Sequence, residues 1–310
     1  MKVVVTGGAG FIGANLCRRL LATDGVTEVV ALDDLSSGDK ANLDGVTATL
    51  VVGSILDAAL LDDVVAGAAS VVHLAAVPSV PRSIVDPVRS HEANATGTLQ
   101  VLEAARRAAT VPQVIVASSS SVYGANPAIP KVETLRPMPM SPYAVSKLAA
   151  ECYALSHGQV YGMDTLAFRF FNVFGPLQAA GHAYAAVVPA FVEAALAGRP
   201  LTVHGDGRQT RDFTFIDTVT AVLADAVVGR KASPEPLNLA YGTRTSLLEL
   251  IDLLGEVLGS PVEVDHVDPR PGDVRDSQAD SSRVAALFPQ VTPVPLREGL
   301  TRTVDWFRTL

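Results

Sequence analysis

Tyr143 and Lys147 stand four residues apart in Ser141-Pro142-Tyr143-Ala144-Val145-Ser146-Lys147, behind a serine suited to cap a helix and a proline suited to its first turn. That spacing puts both side chains on one helical face. An ammonium near a phenol stabilises the phenolate and draws its pKa from about 10 toward working pH, which makes tyrosine a usable general base. Alone, the pair reads more readily as an exposed helical couple. A run of hydroxyls follows an apolar strand-like stretch in Ala117-Ser118-Ser119-Ser120-Ser121-Val122-Tyr123-Gly124. Beyond the carboxyl end of a strand such hydroxyls can bond a substrate oxygen and relay its proton, or simply form a polar turn. A third feature is Thr6-Gly7-Gly8-Ala9-Gly10-Phe11-Ile12-Gly13, which carries G-x-x-G-x-x-G between a first strand and a first helix. Glycine lets the backbone approach a pyrophosphate, and free N–H groups at the helix start supply partial positive charge. Asp33 follows Gly13 by twenty residues, at the end of the second strand-like run. A carboxylate there accepts adenosine ribose hydroxyls and repels a 2′-phosphate, so the expected dinucleotide is NAD.

The elements that must position these groups are legible as alternation. Short apolar runs at 2–5, 28–32, 48–52, 70–74, 113–117 and 165–170 alternate with amphipathic stretches at 11–22, 56–66, 88–108 and 142–158. The pattern predicts an α/β fold, a doubly wound parallel sheet of the Rossmann type with helices on both faces. After residue 171 glycine and proline become frequent and strand-like pieces at 201–203, 237–239 and 262–264 are interleaved with helices. We expect residues 1–171 to bind the dinucleotide. Residues 172–310 then form mainly a smaller mixed α/β C-terminal substrate-binding lobe, with the chain returning to the first domain around 205–235.

Composition narrows the partners. In 310 residues, 24 Lys plus Arg face 32 Asp plus Glu, and the net charge of −8 opposes binding to nucleic acid. Cys17 and Cys152 supply neither a disulfide framework nor a thiolate metal site, and they suit a reducing compartment. The six histidines are scattered without metal-ligand spacing, so no metal is expected and none of them is given a role. The longest apolar stretch, 183–197, contains Pro189 and Glu193, and the opening strand runs directly into the glycine loop. A soluble cytoplasmic protein without membrane contact is expected.

Several ordered motifs together carry a resemblance across essentially the whole chain: T-G-G-A-G-F-I-G, L-D-D-L, H-L-A-A, S-S-S-S-V-Y-G, S-P-Y-A-V-S-K, R-F-F-N-V-F-G-P, G-D-G-R-Q-T-R-D-F and R-P-G-D-V. The sequence resembles the extended short-chain dehydrogenases/reductases of the NAD-dependent epimerase/dehydratase family, and within them the UDP-glucose and UDP-N-acetylglucosamine 4-epimerases. The resemblance implies Tyr143 as base, Lys147 as ligand of the nicotinamide ribose and Ser119 as proton-relaying hydroxyl. It implies NAD contacts from Gly7, Gly10, Phe11, Ile12, Gly13 and Asp33, then from Ser54, Ile55, Leu74, Ala75, Ala76, Asn94 and Ala117. For a UDP-sugar it implies Asn172, Arg211 and Arg270 at the diphosphate and Asp273 at the uridine ribose. Ser79, Ser120 and Val187 join Ser119 as further substrate contacts, and Ser277 borders the C2 substituent. A serine there leaves room for an acetamido group. Two positions depart from the family: Ser54 replaces an aspartate, and Phe213 stands where some members have tyrosine.

The resemblance also implies a homodimer built on the helices at 88–108 and 142–158, whose apolar residues include Leu99, Leu102, Leu148 and Tyr153. A 4,6-dehydratase would need an Asp-Glu pair where this chain has Ser120-Ser121. A UDP-glucuronate 4-epimerase, a nucleotide-sugar 4-ketoreductase and a non-catalytic NAD-sensing protein remain as alternatives.

Overall fold

A computed structural model of the chain describes residues 1–180, 185–268 and 275–310. The chain divides into two compact units. The first comprises Met1–Asn126, Arg136–Phe170 and Thr220–Leu239, and the second Pro127–Leu135, Phe171–Val219 and Ala240–Leu310. The return to the first unit therefore falls at Thr220–Leu239, later than the 205–235 expected.

In the first unit, strands β1 (Lys2–Thr6), β2 (Glu28–Asp33), β3 (Thr49–Val52), β4 (Ser70–His73), β5 (Gln113–Ser119) and β6 (Thr165–Phe170) lie in one parallel sheet. A seventh strand, Leu237–Leu239, pairs in parallel with β6. This corrects the assignment of 237–239 to the smaller lobe: three residues are too few to show a periodicity. The order is seventh strand–β6–β5–β4–β1–β2–β3, so the direction of winding reverses between β1 and β4. Ligands of such sheets bind beyond the carboxyl ends of the strands at that reversal. Val3, Val4 and Val5 are fully buried, as expected of a strand covered on both faces.

The helices of this unit include α1 (Phe11–Leu21), α2 (Ala58–Val65), α3 (Val80–Val85), α4 (Pro87–His91), α5 (Gly97–Arg107) and α6 (Pro142–Tyr161), and most of a further helix, Ile216–Val228, belongs to it as well. The helix expected over 88–108 is thus interrupted by a π-helical turn, Glu92–Thr96, between α4 and α5. Helix α6 begins as its sequence predicts: the Ser141 hydroxyl accepts the Ala144 N–H at 3.1 Å, with a proline in the first turn. It ends on Gly162, left-handed at φ 65°.

The second unit carries short two-stranded pairings. Val173–Phe174 pairs in parallel with Thr214–Phe215, and Leu201–His204 with Val264–Val267. Thr210–Arg211 runs antiparallel to Thr245–Ser246. Among the described residues no helix is long and apolar enough to cross a membrane.

Candidate active site

The glycine loop packs backbone against backbone too closely for side chains. Gly7 adopts φ +69°, and a Cβ on it would lie 2.8 Å from the Ala75 N. A Cβ on Gly13 would drive into the Gly7 carbonyl oxygen, so the first turn of α1 closes only with glycine there. Gly10 gives α1 no side-chain cap, which leaves the leading N–H groups at Phe11, Ile12 and Gly13 for an anion. Asp33, at the end of β2, is buried. Its Oδ2 accepts the Ala9 N–H and its Oδ1 the Leu35 N–H, each at 2.9 Å. Both oxygens keep acceptor capacity for hydroxyl groups. Leu74 and Ala75, directly after β4, donate their N–H groups to the Thr6 carbonyl at 3.1 Å and the Thr6 hydroxyl at 3.3 Å. Ala76 is half-buried beside them. Ser54 accepts the Leu56 N–H at 3.1 Å and so shapes the turn before α2, and Ile55 is buried.

At the carboxyl end of β5 the hydroxyl cluster and α6 meet. The Ser119 hydroxyl accepts from the Ser121 hydroxyl at 2.9 Å. Burial pushes the Tyr143 phenol up, and the neighbouring Ser119 hydroxyl draws it partly back. Lys147 is 6% exposed and donates from Nζ to the Ala117 carbonyl at 2.8 Å. Burial brings its pKa down from 10.5 to about 8. Because the unfolded chain binds this proton more readily, Lys147 weighs against folding below pH about 8, and that burden lifts as pH rises toward 10.5.

Asn94 lies in the π-helical turn and is buried. Its Oδ1 accepts the Val77 N–H at 2.7 Å, and its Nδ2 donates to the Ser146 hydroxyl at 3.0 Å. Ser146 in turn donates to the Tyr143 carbonyl at 2.8 Å, so Asn94 ties the segment after β4 to the first turn of α6. Ser79 caps α3 by accepting the Arg82 N–H at 3.2 Å, and Ser120 opens the 3-10 turn Ser120–Tyr123.

A buried ion pair fixes the two elements that carry Ser119 and Lys147. Glu151 follows Lys147 by one helical turn, and Arg169 donates to it from Nη2 at 2.6 Å and from Nε at 2.9 Å. The Ser118 hydroxyl donates to the same carboxylate at 2.7 Å. The Arg169 guanidinium also lies 4.7 Å over the Tyr123 ring, whose hydroxyl donates to Asn238 Oδ1 at 2.6 Å. Sequence reasoning missed this group. Its signal was an arginine inside an otherwise apolar strand, Thr165–Phe170.

The second unit contains a cavity of about 270 Å³. Asn172, Val187 and Arg211 line it, together with Phe174, Phe191, Thr202, His204, Gln209 and Phe213. Arg211 donates to the carbonyls of Thr210 at 2.9 Å and Arg275 at 3.2 Å. Ser277 donates its N–H to the Thr210 carbonyl at 3.1 Å, beside Arg211, and is not itself a lining residue. Arg270 and Asp273 lie outside the described residues. His204 and Thr202 were not foreseen. Leu201 and Val203 turn into the core, and strand alternation leaves Thr202 and His204 for the opposite face.

The chain belongs to the NAD dependent epimerase/dehydratase family, whose model matches residues 3–240. It is 40% identical to a UDP-glucose 4-epimerase of Mycolicibacterium smegmatis over 99% of both chains. Among solved structures it is similar to the UDP-N-acetylglucosamine 4-epimerase of Methanobrevibacter ruminantium in complex with UDP-N-acetylmuramic acid, with a TM-score of 0.93 and 35% identity over 99% of this chain and 98% of that one. The UDP-glucose 4-epimerase of Thermotoga maritima with UDP-glucose matches with a TM-score of 0.92 and 34% identity, over 100% and 99% of the two chains.

Proposed function

We propose that the chain epimerises C4 of a UDP-hexose, UDP-GlcNAc/UDP-GalNAc or UDP-glucose/UDP-galactose, with resident NAD. The observation that carries this reading is the juxtaposition of Tyr143 with Ser119 at the carboxyl end of β5, with Lys147 one turn along α6. Gly7, Gly10, Phe11, Ile12, Gly13 and Asp33 would hold the dinucleotide, and their backbone cradle and paired carboxylate suit its pyrophosphate and ribose. NAD held there would supply a hydride acceptor and donor for C4, by way of a 4-keto sugar and with no net redox change.

Tyr143 removes the proton of the sugar 4-hydroxyl as that hydride leaves, and gives it back on reduction. Ser119, beside the Tyr143 phenol, relays it. Burial disfavours the phenolate, so the Lys147 ammonium is needed on the same helical face. Asn172, Arg211, Arg270 and Asp273 would take the nucleotide diphosphate and ribose, guanidinium forks being suited to phosphate oxygens.

Purified protein, with no cofactor added, is expected to convert UDP-GlcNAc or UDP-glucose to its 4-epimer, and denaturation is expected to release NAD. Chromatography of sugar nucleotide and released cofactor reads both. Stoichiometric consumption of added NADPH would replace this reading with a 4-ketoreductase. Conversion of UDP-glucuronate alone would move the substrate, and bound NAD without any conversion would leave a sensing protein.

Ser277→Tyr is expected to cut UDP-GlcNAc turnover by about thirtyfold, a clash of about 2 kcal/mol, while sparing UDP-glucose. Equal loss on both sugars would mean that the tyrosine has damaged the site as a whole, and no loss on either would place Ser277 outside the C2 pocket.

A homodimer through α5 and α6 belongs to the same proposal. Val145, Tyr153, Val160 and Tyr161 leave apolar surface exposed on α6. Leu102, offered above for that face, is instead fully buried in the unit's own core, while Leu99 and Leu148 are half-buried. Light scattering at micromolar concentration is expected to give twice the chain mass, and a monomer mass counts against the dimer. The free cysteines Cys17 and Cys152 suit a reducing compartment, and a cytoplasmic location goes with this reading.

A further inference from the structure

We infer that His73 is a positioning residue for the proposed reaction, a neutral two-ended link between the turn that would hold the cofactor phosphates and the helical turn that steadies Tyr143. Thr6 and His73 are paired residues of β1 and β4, at the carboxyl ends where the winding of the sheet reverses. His73 is 3% exposed, yet both ring nitrogens are bonded: Nδ1 to the Thr6 hydroxyl at 2.7 Å and Nε2 to the Thr98 hydroxyl at 2.9 Å.

The direction of these bonds follows from the last acceptor. The Thr98 hydroxyl donates to the Asn94 carbonyl at 2.6 Å, and a carbonyl can only accept. Thr98 has then spent its one proton, so His73 must donate to it from Nε2, and Nδ1 must accept from Thr6. Thr6 also accepts the Ala75 N–H, which completes a one-way chain from Ala75 through Thr6, His73 and Thr98 to Asn94. Asn94 continues it to Ser146 and the Tyr143 carbonyl. Burial, with the Lys147 charge acting in the same sense, lowers His73 to about 3, so the imidazole keeps this tautomer at any working pH.

The two ends of the ring make separable demands. A side-chain amide reaches the place of Nδ1 in asparagine and that of Nε2 in glutamine. His73→Asn should preserve the bond to Thr6, and His73→Gln the bond to Thr98. The experiment compares these two, His73→Leu and Thr98→Val, reading kcat and KM on the sugar the unaltered protein epimerises, the rate of NAD release from the holoenzyme, and the thermal midpoint. The turnover arm rests on the epimerase reading.

We expect His73→Asn and Thr98→Val to lower kcat by about tenfold with KM unchanged and NAD release near normal, a loss of the size of one hydrogen bond. His73→Gln should keep most of kcat and release NAD about tenfold faster, and His73→Leu should show both defects. Equal defects in the asparagine and glutamine variants, or losses that only follow the thermal midpoint, overturn the inference. Should no His73 variant fold, normal kcat in Thr98→Val overturns it by itself. The NAD release rates decide the question even where the unaltered protein epimerises none of the sugars offered, an outcome that would fail the epimerase reading alone.

Discussion

Replacing Tyr143 by phenylalanine is expected to lower turnover at least about a hundredfold while NAD stays bound, because general-base removal costs that much and nothing else in the site is displaced. The phenol hydroxyl is the group beside Ser119, whereas the backbone of Tyr143 is held independently through Ser146 and Asn94. The helix start should survive. Initial rates on the sugar converted by the unaltered protein, with released NAD counted per chain, check both halves of this expectation. Near-normal turnover would assign the base to another group. Lys147→Met should differ by weakening turnover and NAD retention together, since its ammonium belongs to both.

Arg169→Met is expected to destabilise the chain by about 3–5 kcal/mol, the cost of leaving a buried carboxylate without its partner. Both members of the pair are about 2% exposed, so water cannot replace the guanidinium, and the Ser118 hydroxyl that also donates to that carboxylate is neutral. Removing both charges, in Arg169→Met with Glu151→Leu, should recover most of the loss, because a packed apolar pair spares both desolvations. Urea midpoints for the two variants read the difference. A single variant as stable as the double one would mean that the pair contributes no specific support to the Ser118–Ser119 end of β5.

Sequence made legible the parts of the site in which the chemistry requires a fixed residue type at a fixed interval. The glycine loop reads from sequence because its ligand approaches backbone, and Tyr143 with Lys147 because helix periodicity alone brings them to one face. The parallel sheet read equally well, its six longer strands being apolar on both faces. The supports were hidden. His73 belongs to an apolar strand and bonds Thr98, 25 positions away, and Glu151 bonds Arg169 on a different element. Such partners are chosen by tertiary packing, which leaves no period in the sequence. Asn94 was found through the family resemblance, yet the π-helical turn that presents it was not. The seventh strand is three residues long and is defined by its pairing with β6.

That seventh strand has a consequence for synthesis. The first unit closes its sheet with Leu237–Leu239, while Phe171–Val219, which belongs to the other unit, lies between that strand and β6 in the chain. As the polypeptide leaves the ribosome, the β6 edge waits for its partner through some seventy residues of chain, and the Tyr123 hydroxyl waits 115 residues for Asn238. An unpaired parallel edge is an aggregation hazard for as long as it stays open. A fragment ending at residue 171 would keep that edge open permanently, so the dinucleotide-binding half should express as a sound protein only when the segment through Leu239 is supplied with it.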